Sequence, residues 1–128
     1  MINVDILVLS DDVIVDAETK RQSVISMFDR IQTEKVPVLI PRMCIFARLK
    51  GTAGHHTAYV EFLSPPEAGV PSQEVTCPFD LKSDGDMHNI KVAIMPVPLP
   101  VYGRYTVRAL DEKRSQLAET FLDVVPKG

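Results

Sequence analysis

The feature that most restricts how this 128-residue chain can fold is its punctuation. Short apolar runs rich in β-branched residues are each broken by proline, glycine or clustered Asp, Ser and Thr. The breaks recur every roughly 8–14 residues, the spacing of an all-β sandwich or barrel. Val4–Leu9 (VDILVL) is apolar at both parities, which predicts a strand covered on both faces. Ile90, Val92 and Ile94 alternate with Lys91 and Ala93, the cleanest period of two in the chain. Met43–Lys50 and His56–Leu63 are two further strands, separated by Gly51-Thr-Ala-Gly54 as a hairpin-like connection. Asp84-Gly85 suits a tight turn with positive φ.

Two segments are ambiguous by periodicity. Gln22–Ile31 fits a helical stripe through Val24, Ile25, Phe28 and Ile31, and also a strand face through Ile25, Met27 and Ile31. In the last quarter, Asp111–Arg114 reads as a turn before a closing strand at Thr120–Val125. A helix over Asp111–Phe121 competes, through Leu117, Ala118 and Phe121. Val101–Leu110 is a strand with Val101, Tyr105, Val107 and Ala109 on one side and Tyr102, Arg104, Thr106 and Arg108 on the other. Pro96, Pro98 and Pro100 remove three N–H groups from one side of an extended segment, so that segment belongs at an edge. Edge protection accounts for it, and a proline-recognition motif is the sharper alternative. The pattern as a whole predicts one domain over 1–128, a sandwich of about seven to nine strands, mostly antiparallel.

The blocks Leu9–Asp16, Ser23–Ile31, Ala47-Arg-Leu-Lys-Gly51, Gly103-Arg-Tyr-Thr-Val107 and Phe121-Leu-Asp-Val124 resemble a family of small bacterial proteins of unknown function. The resemblance runs over essentially the full length. It implies an all-β, immunoglobulin-like antiparallel β-sandwich of about seven to nine strands, and it favours strand over helix at Gln22–Ile31. It implies no activity, cofactor or site residue.

Several chemistries lack their residues. Fourteen Lys and Arg against seventeen Asp and Glu give a net charge of −3, poor material for neutralising phosphates, so no nucleic-acid partner is expected. Asp5 and Asp11-Asp12 interrupt the first apolar run, unlike a secretory signal, and no run approaches the ~20 residues of a membrane span. Cys44 and Cys77 lack CxxC spacing and are expected as reduced thiols in a cytoplasmic protein without a membrane partner. There is no GxSxG, phosphate loop or HExxH. Neighbouring His55 and His56 face opposite sides of a strand and cannot easily share an ion. Asp80, Asp84 and Asp86 crowd one turn with the hard oxygens calcium prefers, but without EF-hand spacing, and turns collect Asp for local hydrogen bonds anyway. Sugar platforms need exposed rings, and this chain has no tryptophan.

What remains is binding. Tyr102, Arg104 and Arg108 share one predicted face, with Arg48 assigned to a neighbouring strand, and this patch is the candidate site for an acidic peptide or small anion. A solvated face with cross-strand partners such as Glu61 is the plainer account. The sequence therefore points to a non-enzymatic module without a cofactor that self-associates, as a homodimer, or binds a protein partner. The alternative is a small-ligand or metal-ion binder using loops at one end of the sandwich.

Overall fold

In the computed structural model, which describes residues 1–128, the alternating runs become strands and no α-helix forms. The strands are β1 (Ile2–Val15), β2 (Gln22–Met27), β3 (Arg30–Thr33), β4 (Val38–Ile40), β5 (Met43–Gly51), β6 (Gly54–Leu63), β7 (Gln73–Leu81), β8 (Met87–Ile94), β9 (Val97–Leu99), β10 (Gly103–Leu110) and β11 (Gln116–Pro126). They build a four-stranded sheet ordered β2-β1-β5-β8, a five-stranded sheet ordered β3-β11-β10-β6-β7, and a two-stranded ribbon of β4 and β9. The two main sheets thus hold nine strands, and the ribbon takes the total beyond the seven to nine expected. Every pairing is antiparallel except β3 with β11.

Period-two patterning decides what lies between the sheets. Met43, Ile45, Ala47 and Leu49 of β5 share the main core with Val60 and Phe62 of β6, Tyr105 and Val107 of β10, and Leu122 and Val124 of β11. Each fully buried large side chain contributes about 1.5–3 kcal/mol of burial free energy. Tyr105 is wholly buried, and its hydroxyl donates to the Val101 carbonyl (2.7 Å) and accepts from the Val101 N–H (3.2 Å). This is the tyrosine corner of immunoglobulin-like sandwiches, which satisfies backbone groups at a strand entry. The proline-rich segment contributes Val97 and Leu99 to the core while Pro98 stays exposed opposite Leu39, an edge position as the missing N–H groups require.

Several expectations are corrected. Gly51–Gly54 does not close a hairpin: β5 pairs with β1 and β8, while β6 pairs with β7 and β10, so this turn carries the chain from one sheet to the other. The Asp84-Gly85 turn, with Gly85 at φ 85°, makes the same crossing between β7 and β8. Gln22–Ile31 is strand, as the resemblance implies, but divided: β2 lies in one sheet and β3 in the other, with the crossing at Phe28-Asp29. Asp111–Ser115 is a turn held by the Asp111 carboxylate, which accepts from the N–H groups of Lys113 and Ser115, and the closing strand starts at Gln116. Tyr102 lies before β10 rather than on it.

The strand covered on both faces is β5, not β1. Ile6 of β1 is exposed, whereas Met43 through Ala47 are all buried. The reason is a bend in β1. It pairs with β5 from Ile2 to Ser10 and with β2 from Ser10 to Val15. Beyond Ser10 the β1–β2 hairpin lies across the outer side of its own sheet. Val13 packs there on Cys44 and Phe46, with Val8 and Val24 alongside, forming a second, smaller core. We call this hairpin the strap.

Candidate interaction surface

The sites singled out by sequence come apart in three dimensions. Arg48 projects from the outer face of the four-stranded sheet, where its Nε donates to Asn89 Oδ1 (2.9 Å). Arg104 and Arg108 project from the other sheet and already have carboxylate partners. Arg104 makes a two-pronged contact with Asp123 (2.9 and 3.2 Å) and stacks over Phe121 (4.5 Å to the ring centre). Arg108 approaches Glu61 at 3.5 Å, the cross-strand partner anticipated from sequence. Tyr102 donates to the Thr33 carbonyl (3.2 Å). These four residues therefore do not form one surface; Arg104 is committed to Asp123, whereas the buried Nε of Arg108 has the ion pair with Glu61 but no hydrogen bond.

The acidic turn is likewise spent locally. Asp80 meets His55 Nδ1 at 2.9 Å, Asp84 accepts from the Ala53 N–H, and Asp86 accepts from the N–H and hydroxyl of Ser83. No group of three His, Cys, Asp or Glu side chains is placed to hold a metal ion. His55 and His56 do face opposite ways. His56 is buried between Glu112 (3.1 Å) and the Thr52 carbonyl (2.7 Å), where it ties the sheet crossing to the β10–β11 turn. Cys44 and Cys77 are free thiols, and burial pushes both above the ordinary thiol range.

The structure draws attention elsewhere, to the side of the sandwich where β7 and β8 end their sheets. Gly51 N–H donates to the Asp86 carbonyl, and Thr52 N–H donates to Met1 O on the opposite side of β5. With the register Met43↔Ile94 to Lys50↔Met87, these bonds place the even residues of β8 on the ladder with β5. The N–H and C=O groups of Met87, Asn89, Lys91 and Ala93 therefore face outward, unpaired by any strand. The edge of β7 is different. Thr57 N–H turns away from β7 to Glu112, so its opposite residue Pro78 directs its nitrogen to the free side, where it offers no donor. β8 contains no proline and no register shift.

Between the two edges lies an apolar cleft of about 360 Å³, lined by Ile45, Val60, Phe62, Val75, Val92 and Ile94 among others. Its rim residue Met95 is 65% exposed, and Val75 is also exposed. At the far end of β8, His88 stacks on Phe79 (4.7 Å), and burial holds its pKa below the usual imidazole value. On the outer side the strap reaches this same strand. Lys91 Nζ donates to the Val13 carbonyl (2.8 Å) and pairs with Asp12 (3.1 Å), and Asn89 hydrogen-bonds Gln22. Asp12 is pulled below the usual carboxylate range, chiefly by the Lys91 hydrogen bond and then by the Val13 N–H. Sequence reasoning missed this constellation, although the proline-free alternation at Ile90–Ile94 was its visible signal.

Among curated proteins, none matches the chain. Among solved structures it is similar to an immunoglobulin-like protein from Pseudomonas aeruginosa, at 14% identity and a TM-score of 0.46, covering 97% of this chain and 96% of that one. A model of a family of unknown function (DUF6941) matches residues 5–119, and the chain belongs to that family.

Proposed function

We propose that this protein is a non-enzymatic interaction module of the cytoplasm that takes up an extended protein segment along the free edge of β8. The observation that supports it most is the outward row of N–H and C=O groups at Met87, Asn89, Lys91 and Ala93 beside an apolar cleft. A strand added there gains main-chain hydrogen bonds from β8, and its alternate side chains drop into the cleft. The segment it suits is apolar at every second position, contributed by another protein or by a second copy. No cofactor enters this reading. Two free thiols are compatible with a reducing compartment.

Native mass spectrometry of fresh protein, alone and with a synthetic peptide of residues 86–95, tests it. We expect either a dimer or a one-to-one peptide complex. Ala93→Pro, which removes a donor only from the free edge, abolishes it while the thermal midpoint moves by a few degrees at most. A bare monomer that ignores the peptide at millimolar concentration overturns the proposal.

A further inference from the structure

We propose that the strap, β1 from Asp11 onward together with β2, opens as a unit without unfolding the sandwich and so governs access to the outer side of β8. The main core runs through both sheets and includes nineteen buried residues, whereas the strap is held over a cluster of three, Val13, Cys44 and Phe46. Only Val13 of the strap is fully buried. Ile14 is 50% exposed, Val15 55% and Ile25 40%. Its remaining ties are side-chain bonds, exposed or only partly buried: Arg42 to the Asp11 carbonyl (3.1 Å) and to Asp12 (3.3 Å), Cys44 Sγ to Asp12 (3.8 Å), Lys91 to Val13 and Asp12, and Asn89 to Gln22. A segment with few buried apolar contacts and solvent-reachable bonds sits at the low end of the local stability range.

The path of the strap gives its opening a consequence. The chain leaves the β5 ladder at Ser10, crosses Phe46, and reaches Asn89 of β8 at Gln22. Lys91, two residues further along β8, is held in the same way by Val13 and Asp12. Opening breaks the contacts to Asn89 and Lys91, two of the four residues whose backbone faces outward. This gating rests on the function proposed above, but the opening itself is measurable with no partner present.

Cys44, wholly buried beneath the strap, reports it. In a Cys77→Ser chain, Cys44 is the sole thiol, and its labelling by a disulfide reagent is followed in increasing urea. Strap opening exposes little surface, so the labelling rate is nearly independent of urea well below the unfolding midpoint and steepens only near it. Val13→Ala, which leaves every charge in place, raises the low-urea rate roughly thirtyfold, whereas Val107→Ala in the main core lowers the unfolding midpoint and leaves the low-urea rate unchanged. A labelling rate that follows the full urea dependence of global unfolding from zero denaturant upward overturns the proposal. Persistence of independent opening in a chain that binds no peptide leaves the strap intact and removes only its gating role.

Discussion

The two outer faces of this sandwich meet solvent in opposite ways. On the five-stranded sheet, long charged side chains lie flat in pairs: Arg104 with Asp123 over Phe121, Arg108 with Glu61, and Arg114 with Glu74 over Tyr59. On the four-stranded sheet, Phe46 and Cys44 point outward and the chain itself folds over them. The first solution costs no backbone and is adjustable residue by residue, but each exposed pair adds little to stability. The second buries real apolar area and ties it to a movable segment. Function is more readily placed on the face where covering and uncovering have an energetic consequence.

Substitutions on the two faces should therefore differ widely. The largest effect is expected for Phe46→Ala, which removes the platform under the strap and costs about 3–5 kcal/mol in urea unfolding. A loss no greater than that of an arginine substitution on the other face would erase the contrast. Val13→Ala removes the matching side of the same contact and should cost about 2 kcal/mol. Its effect should be non-additive with Phe46→Ala, because the two side chains touch.

Acid separates the faces less sharply. Asp123 and Glu74 are held below their ordinary values chiefly by hydrogen bonds from Arg104 and Arg114, and Asp12 chiefly by the one from Lys91. A depressed folded pKa means stability that is present above the unfolded value and lost as pH falls through the folded one. For these carboxylates the loss starts near the unperturbed values of 3.8 and 4.5 and deepens below them. His88, depressed by burial from 6.5, has the same sign and begins to cost stability at higher pH, as its ring is forced to charge. The thermal midpoint should fall gently as pH drops below about 6.5 and steeply below about 4. His88→Phe should remove the gentle part alone. The smallest effect is expected for Arg104→Gln, whose midpoint should be nearly that of the native chain at pH 7. A large shift there would show that the paired face is more than a solvated surface.

Much of this architecture is legible in the residues. The alternation Ala58, Val60, Phe62 against Thr57, Tyr59, Glu61 places the first set inside and the second outside, and Tyr105, Val107 and Ala109 are buried as their parity requires. Parity says which residues share a face but not which strands are neighbours. That is why Gly51–Gly54 looks like a hairpin and is instead a crossing, and why Arg48 appears beside Arg104 but belongs to the opposite sheet. The unbroken burial of Met43–Ala47 is a third instance. An apolar run announces that both faces are covered without naming the cover, and here the cover is a hairpin from the start of the chain. The candidate edge was still less visible. A free edge is a property of sheet order, which no local pattern encodes, although the absence of proline from Met87–Ile94 marks a strand whose N–H groups all remain available as donors.

One pairing bears on how the molecule is made. β3, near residue 30, is held in parallel by Asp123–Pro126 of the final strand, and that strand also brings Leu122 and Val124 into the core. While the chain is being synthesised, ten strands emerge before their last neighbour is free of the ribosome, and the five-stranded sheet has no partner for β3 until then. Until β11 is available, β3 lacks its only strand partner and the core lacks Leu122 and Val124. Long-range closure of this kind makes β-rich chains slow to fold and exposed to mispairing. The strap precedes β5 and β8 in the chain, so its cover over their outer side needs no pairing with β11.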